Sequence, residues 1–289
     1  ATRDIVSRGM FTEMRANNIG PNGGLFITMR HLNKSEVNNK FKGMVERCAD
    51  CGFDLLSGLV EVVPTAHYMM GGIIFNGDCS TSLPGLFAAG EDTGGVHGAN
   101  RLGGNGVANS TVFGGIAGDC IAKWLNTTRS FNEPDSTIIE KSKSECLSPF
   151  NNKPGNLEEI RKKLHTSMWN DAGIIRDKFS LNRAQREVAC LSAELNRSGI
   201  TENSRAFNLA WHDWLNLKNL LLTSQAIIAA AQARDDSRGA HFREDFPEVR
   251  NIENSWFTCA KLSSEKILVS REKVDFNLVK PGETLITEL

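Results

Sequence analysis

The spacing of apolar residues predicts several helices and short strands along the chain. Apolar positions recur every three or four residues, the period of one helix face, over residues 3–14, 35–51, 107–124, 157–168, 181–195 and 207–221. Short apolar runs predict strands at residues 25–29, 73–75, 86–89, 256–258 and 266–269. Residues 126–155 are polar and rich in Asn, Ser, Thr, Pro and Lys, which predicts a surface connection. The pattern therefore favours a first part that contains both helices and short strands, followed by a bundle of helices.

The helix predicted over residues 35–51 carries two cysteines, Cys48 and Cys51, at a spacing that metal and redox sites also use. Both fall on the apolar stripe of that helix, and no second pair of ligands lies nearby in the sequence. We therefore expect both thiols to pack in a core. The chain has seven cysteines without regular spacing, which indicates reduced thiols in a cytoplasmic setting.

Composition restricts the class of protein. Hydrophobic residues make up 40% of the chain, charged residues 23%, and the formal net charge is −1. This balance is typical of a soluble globular protein and offers no basic surface for nucleic acid. No apolar run approaches the ~20 residues that a helix needs to span a bilayer.

The glycine-rich segment from residue 85 to 106 carries the candidate chemistry. It predicts a buried strand, a bend at Gly90, the acidic Glu91, and then a loop with His97 and Arg101 that opens a helix. Glycines let the backbone approach a ligand, and the amides at a helix start favour an anion. Such a layout suits a flavin laid against bare backbone with a carboxylate above it. The alternative is a purely structural strand–turn–helix corner.

Several motifs resemble the flavoprotein subunit of succinate dehydrogenases and fumarate reductases. They are the runs His67–Ile73, Pro84–Glu91 and His97–Asn105, together with residues 3–8, 168–176 and 237–245, all in the family's order. L-Aspartate oxidases are relatives that match less well at Gly103 and Gly104. Gly106 stands where the family usually has serine, so glycine would keep a hydrogen bond from the backbone there but not one from a hydroxyl.

The resemblance implies an α/β plus α fold: part of an FAD-binding α/β domain with a capping-domain remnant and a C-terminal helical bundle. The expected parts are a capping remnant, the C-terminal part of the FAD-binding domain, a linker, the helical bundle and a tail, over residues 1–62, 63–125, 126–155, 156–240 and 241–289. The family's Gly-x-Gly-x-x-Gly unit, which binds the adenosine diphosphate half of FAD, does not occur in these residues. We therefore expect this chain to be the C-terminal portion of a longer flavoprotein.

The resemblance also implies three catalytic residues, Arg3, His67 and Arg101. A guanidinium matches a carboxylate with two parallel hydrogen bonds, which suits Arg101 to clamp one end of a dicarboxylate. His67 would supply a further donor, and Arg3 would be the proton shuttle. Because arginine rarely gives up its proton, a shuttle at Arg3 requires nearby positive charge and a relay that could include Asp4. A solvated helix-start arginine is the alternative.

The expected contacts to the FAD cofactor are Glu91, His97, Asn105, Gly106 and Val107, and no metal site is expected. Glu91 would bind ribityl or ribose hydroxyls, and His97 would contact the flavin or orient Arg101. A second basic loop, with Arg238, His241 and Arg243, is expected to pack against the flavin domain.

These expectations lead to three functional hypotheses. The first is an FAD-dependent oxidoreductase that interconverts succinate and fumarate by hydride transfer at flavin N5 and passes electrons to an iron–sulfur subunit. The second is an L-aspartate oxidase or another carboxylate oxidoreductase of the same family. The third is a fragment that binds neither FAD nor substrate. The first hypothesis implies a cytoplasmic protein that meets the inner membrane only through partner subunits.

Overall fold

A computed structural model describes residues 2–128 and 133–283 of the chain. The chain divides into two compact units, one ending at Met69 and the other beginning at Met70. Each unit is described by itself.

The first unit combines short helices with a two-stranded sheet. Its elements are α1 (Arg3–Arg15), β1 (Leu25–Ile27), α2 (Lys34–Lys40), α3 (Lys42–Asp50) and β2 (Val60–Val62). The strands pair antiparallel, with Leu25 opposite Val62. Thr2 is the N-cap residue of α1, but its side chain makes no capping hydrogen bond.

The single helix predicted over residues 35–51 is two helices. Phe41 leaves helical geometry with φ −123° and separates α2 from α3, so the apolar stripe does not run continuously along one face. Val37 is buried, whereas Cys48 is half-buried and Cys51 is exposed just beyond the last residue of α3. The prediction that both thiols lie in a core is therefore wrong for Cys51. The part of the chain that the structure describes contains no cluster of metal-binding side chains.

The second unit begins with a loop-rich segment that leads into α4 (Asn105–Thr127). The runs predicted as strands at residues 73–75 and 86–89 appear only as isolated bridges, Ile73 to Thr93 and Ser80 to Phe87. Within the described ranges each of these runs pairs with another segment at a single residue only, so neither becomes a strand of a sheet. The predicted helix is confirmed and begins at Asn105, two residues earlier than the apolar pattern alone indicates.

A bundle of helices forms the main core of this unit. It contains α5 (Ser136–Leu147), α6 (Leu157–Asp171), α7 (Lys178–Arg197) and α8 (Leu209–Ala233). The buried apolar side chains include Ile160, Leu164, Leu181, Val188, Leu191, Leu195, Trp214, Leu217, Leu221 and Ile228. Their three- and four-residue spacing is the pattern that predicted α6, α7 and α8.

Helix α5 lies in the segment where the sequence predicted only a surface connection. Asp135 caps this helix by accepting hydrogen bonds from the amides of Thr137 and Ile138. The C-terminal end of α5 is held to the bundle, because Trp211 Nε1 donates to the carbonyl of Cys146 at 2.8 Å. This segment therefore packs against α8. The residues numbered 129–132 in the same connection lie outside the described ranges.

A hairpin of β3 (Trp256–Ser263) and β4 (Lys266–Lys273) follows the bundle. Asp235, just after α8, accepts from Arg250 at 2.8 Å and from Arg271 at 2.9 Å, and Arg271 lies on β4. The hairpin is thereby fastened to the end of α8. Among the described residues, no helix has the length and apolar character needed to cross a membrane.

Candidate functional site

The glycine-rich loop between Gly90 and α4 is folded by residues in the left-handed region. Gly90 has φ +87°, and its carbonyl accepts hydrogen bonds from the Thr93 hydroxyl at 2.6 Å and from Asn109 Nδ2 at 3.1 Å. Asn109 is buried on the first turns of α4. Its amide thus ties the beginning of the loop to the helix at which the loop ends.

A close crossing of main chains fixes the position of Glu91. The Ile73 amide donates to the carbonyl of Asp92 at 2.7 Å, and the Gly94 amide donates to the carbonyl of Ile73 at 3.1 Å. A Cβ atom on Gly72 would lie 2.2 Å from that Asp92 oxygen, so only glycine fits here. Glu91 itself is exposed beside this crossing.

His97 and Arg101 lie on the same loop and are both half-buried. Asn109 Nδ2 lies 3.3 Å from His97 Nε2. Because an amide nitrogen can only donate, Nε2 accepts, and the proton of the neutral His97 ring lies on Nδ1. The Arg101 backbone amide donates to Met70 Sδ at 3.0 Å, and its guanidinium donates to the carbonyl of Leu102 at 3.2 Å. The structure therefore brings His97, Arg101 and the start of α4 into one site.

Helix α4 begins without any side-chain cap. Gly104 occupies the N-cap position with φ +84°, no side chain caps the helix, and its first turn has no acidic residue. Asn105 and Val107 are exposed and Gly106 is half-buried. The first-turn amides of a helix have no intrahelical acceptor and carry partial positive charge. This donor set fits the electron-rich edge of a flavin ring, which has carbonyl oxygens and becomes negative on reduction.

Arg3 and His67 lie in the first unit. Arg3 is exposed in the first turn of α1, and the neighbouring Asp4 carboxylate pairs with Arg8 at 3.4 Å on the same helix. His67 is exposed in the extended segment that follows β2. Their assigned catalytic roles, and those of the other site residues, remain predictions.

Arg176 and His241 form a buried pair in the second unit that no sequence motif predicted. Arg176 donates to His241 Nδ1 at 2.8 Å. Burial, followed by the nearby charge of Arg243, lowers the pKa of Arg176 to about 10. Burial lowers the pKa of His241 to about 3, with further contributions from Arg176, Arg234 and Arg243. His241 is therefore neutral near pH 7, and Nδ1 accepts.

The second basic loop contacts the glycine-rich loop between Gly90 and α4 directly. The Ala240 amide donates to the carbonyl of Ala99 at 3.0 Å, two residues before Arg101. This loop was expected to pack against the flavin domain, and the hydrogen bond joins it to Ala99, which lies within the residues 63–125 predicted for that domain. Its signal in the sequence was the run Ser237–Asp245, although nothing in that run shows which residues it contacts.

Comparisons with known proteins match both ends of the chain. Residues 1–107 match a family described as an FAD binding domain, and residues 161–285 match one described as the C-terminal part of fumarate reductase flavoproteins. These matches identify FAD as the cofactor.

Among curated proteins, a fumarate reductase (CoM/CoB) subunit of Methanothermobacter marburgensis is 38% identical over 250 residues, covering 86% of this chain and 45% of that protein. L-Aspartate oxidase 1 of Ralstonia nicotianae is 31% identical over 253 residues, covering 86% of this chain and 44% of that protein. A solved structure of a quinol fumarate reductase variant of E. coli is 29% identical and has a TM-score of 0.84, covering 97% of this chain and 50% of that one.

The chain thus spans about half the length of the relatives it matches. The structural likeness confirms the predicted fold class, part of an FAD-binding domain together with a helical C-terminal part.

Proposed function

Since the chain belongs to the flavoprotein family of succinate dehydrogenases and fumarate reductases, a family of FAD-dependent oxidoreductases, we propose that the protein containing it interconverts succinate and fumarate or a similar small dicarboxylate. The observation that carries this proposal is the placement of Arg101. Its backbone is held by Met70, and it lies on the loop that opens the uncapped helix α4. A carboxylate-binding guanidinium and a flavin-binding helix start are thus neighbours in one loop.

The residues around the start of α4 would hold the flavin. When bound, FAD supplies a hydride acceptor and donor at N5. The Asn105 amide donates to the carbonyl of Leu102 at 3.3 Å, so the Asn105 side chain and the amides of Gly106 and Val107 would contact the ring. The two amides would donate to its carbonyl edge and favour its reduced, negative form. Gly106 supplies the backbone donor but no hydroxyl. Glu91, exposed beside the main-chain crossing, would accept from ribityl or ribose hydroxyls, and His97 would donate through Nδ1.

The cationic residues would bind and polarise the substrate. Arg101 would grip one carboxylate with two parallel hydrogen bonds, and His67 would donate to the same substrate. Negative charge grows on the substrate as hydride reaches a carbon–carbon double bond, and these donors would stabilise it. Arg3 would deliver the proton to the opposite carbon. Because Asp4 pairs with Arg8, a relay from Arg3 through Asp4 would compete with that ion pair.

A second candidate function is amino-acid oxidation. The Ralstonia nicotianae relative is named as an L-aspartate oxidase and is 31% identical. An aspartate also presents two carboxylates, so Arg101 and His67 would suit it equally well.

We also propose a partner and a location. The Methanothermobacter marburgensis relative is named as a subunit, which supports assembly with further chains. An iron–sulfur subunit would accept electrons from the flavin, and the flavoprotein would lie in the cytoplasm, reaching the inner membrane only through such partners.

Purification of the gene product that contains these residues, followed by two activity assays, tests the proposal. Reduced viologen dye should be oxidised when fumarate is added. Oxygen-dependent oxidation of L-aspartate without dye-linked fumarate reduction would favour the second candidate. A colourless product that takes up no FAD would refute both.

Arg101→Lys tests the carboxylate clamp, with Arg47→Lys, an arginine on α3, as the matched control. Lysine keeps the charge but cannot form the paired hydrogen bonds, so we expect kcat/KM for fumarate to fall about 100-fold or more in Arg101→Lys alone. Equal activity in the two variants would contradict the role of Arg101.

A further inference from the structure

The turn from Ser237 to His241, called here the bracing turn, is closed by two hydrogen bonds between its own main-chain groups. The Arg238 amide donates to the carbonyl of His241 at 2.8 Å, and the His241 amide donates back to the carbonyl of Arg238 at 3.1 Å. The Ser237 hydroxyl donates to the carbonyl of Phe246 at 2.8 Å, which holds the next residues of the chain against the turn.

The helical bundle anchors this turn. His241 Nδ1 accepts from Arg176, which lies between α6 and α7, at 2.8 Å. The Arg176 backbone is hydrogen-bonded to the two residues that flank Arg243. Its amide donates to the carbonyl of Phe242 at 3.2 Å, and its carbonyl accepts from the Glu244 amide at 2.8 Å. The buried Arg243 guanidinium donates to the carbonyls of Ala231, Gln232 and Arg234 at the end of α8, each at 3.2 Å.

The tip of the bracing turn contacts the loop that carries Arg101. The Ala240 amide donates to the carbonyl of Ala99 at 3.0 Å. Gly239 has φ +56°, and a Cβ atom there would lie 2.3 Å from that same oxygen and 2.6 Å from the carbonyl carbon. The contact therefore joins two main chains, and any side chain at residue 239 would force them apart.

We propose that the bracing turn is a positioning element for Arg101, through which the helical bundle fixes the orientation of the substrate-binding guanidinium. This inference rests on the proposed function of Arg101. Paired hydrogen bonds to a carboxylate tolerate little rotation of the guanidinium plane, so the backbone two residues away must be held firmly. Met70 Sδ, which accepts from the Arg101 amide, restrains the same loop at Arg101 itself.

Gly239→Ala tests the proposal, with Gly52→Ala as the matched control. Gly52 also has a left-handed φ of +82°, but a Cβ atom there would meet nothing within 4 Å. Alanine is strained at both positions, because both glycines have a left-handed φ. Only in Gly239→Ala does the new Cβ atom also displace Ala99. The readouts are the dissociation constant of malonate, a small dicarboxylate, from the change in flavin absorbance, and the bound FAD per chain.

We expect Gly239→Ala to weaken malonate binding about tenfold or more with FAD content equal to that of Gly52→Ala. Equal malonate affinity in the two variants would overturn the inference. If the unsubstituted protein binds neither malonate nor fumarate, the proposed function fails instead, and the two failures are thus distinguished.

Hydrogen–deuterium exchange on the unsubstituted protein tests the same inference without any variant. The Ala240 amide bonds to the Arg101 loop, so saturation with malonate should slow its exchange together with that of residues 97–101. Slower exchange at residues 97–101 with no change at Ala240 would overturn the inference, even if Gly239→Ala fails to fold.

Discussion

Acidification should weaken the fold through His241 well before most carboxylates titrate. The folded pKa of His241 is lowered to about 3, chiefly by burial and then by Arg176, from the ordinary histidine value of 6.5. Below pH 6.5 the unfolded chain binds a proton at this residue that the folded chain does not, so the free energy of unfolding falls as the pH falls. The loss continues down to the folded pKa.

The size of this effect follows from the two pKa values. One pH unit within this window changes the free energy of unfolding by about 1.4 kcal/mol, so the loss from His241 at pH 5 is about 2 kcal/mol. The assay is urea unfolding followed by tryptophan fluorescence, at pH 7.5 and at pH 5. Trp214 in the bundle core reports on the part of the molecule that contains His241.

His241→Asn isolates this contribution, because an asparagine oxygen can accept from Arg176 and does not titrate. The drop in unfolding free energy between the two pH values should be about 2 kcal/mol smaller in this variant than in the unsubstituted protein. His165→Asn, which removes an exposed histidine from α6, is the control for loss of a histidine. An equal pH dependence in His241→Asn and the unsubstituted protein would refute the reasoning.

Two further substitutions probe the core and the site. Leu191→Ala, in the bundle core, should lower the free energy of unfolding by about 2–5 kcal/mol in urea titrations, whereas Cys190→Ala on the exposed side of α7 should change it by less than about 0.5 kcal/mol. Gly72→Ala should reduce FAD bound per chain, because its Cβ atom would push away the Asp92 carbonyl and shift Glu91. Gly71→Ala, where a Cβ atom meets nothing within 4 Å, should retain FAD, and equal FAD content in the two glycine variants would contradict this account.

The sequence predicted the helices that bury a continuous stripe and missed elements that depend on distant contacts. Helices α6, α7 and α8 appear where the pattern placed them, because each buries its own apolar stripe, although α8 continues to Ala233. The short runs predicted as strands at residues 256–258 and 266–269 lie within β3 and β4, but their pairing as a hairpin was not predicted. Helix α5 was not predicted because residues 140–145, between Ile139 and Cys146, are all polar, so its apolar residues do not recur every three or four positions. The break at Phe41 lies two residues before Gly43, but an isolated glycine is tolerated inside a helical pattern and so did not predict the break.

The candidate site was predictable only within one segment of sequence. His97, Arg101 and the start of α4 are close along the chain, so a glycine-rich loop was enough to place them together. The Arg176–His241 pair joins residues 65 positions apart, and the contact of Ala240 with Ala99 spans a still longer interval. The spacing of residue types predicts contacts within one helix or strand. Contacts between residues so far apart in the sequence can be assigned only from the folded structure.

The attachment of the hairpin to α8 has a chemical character different from that of the bundle beside it. Asp235, Arg250 and Arg271 are all partly open to solvent, with side chains 31%, 47% and 46% exposed. Dissolved ions compete with such half-open charge pairs and leave buried hydrocarbon contacts intact. Raising the ionic strength should therefore weaken the attachment of the hairpin to α8 more than it weakens the buried apolar core of the bundle.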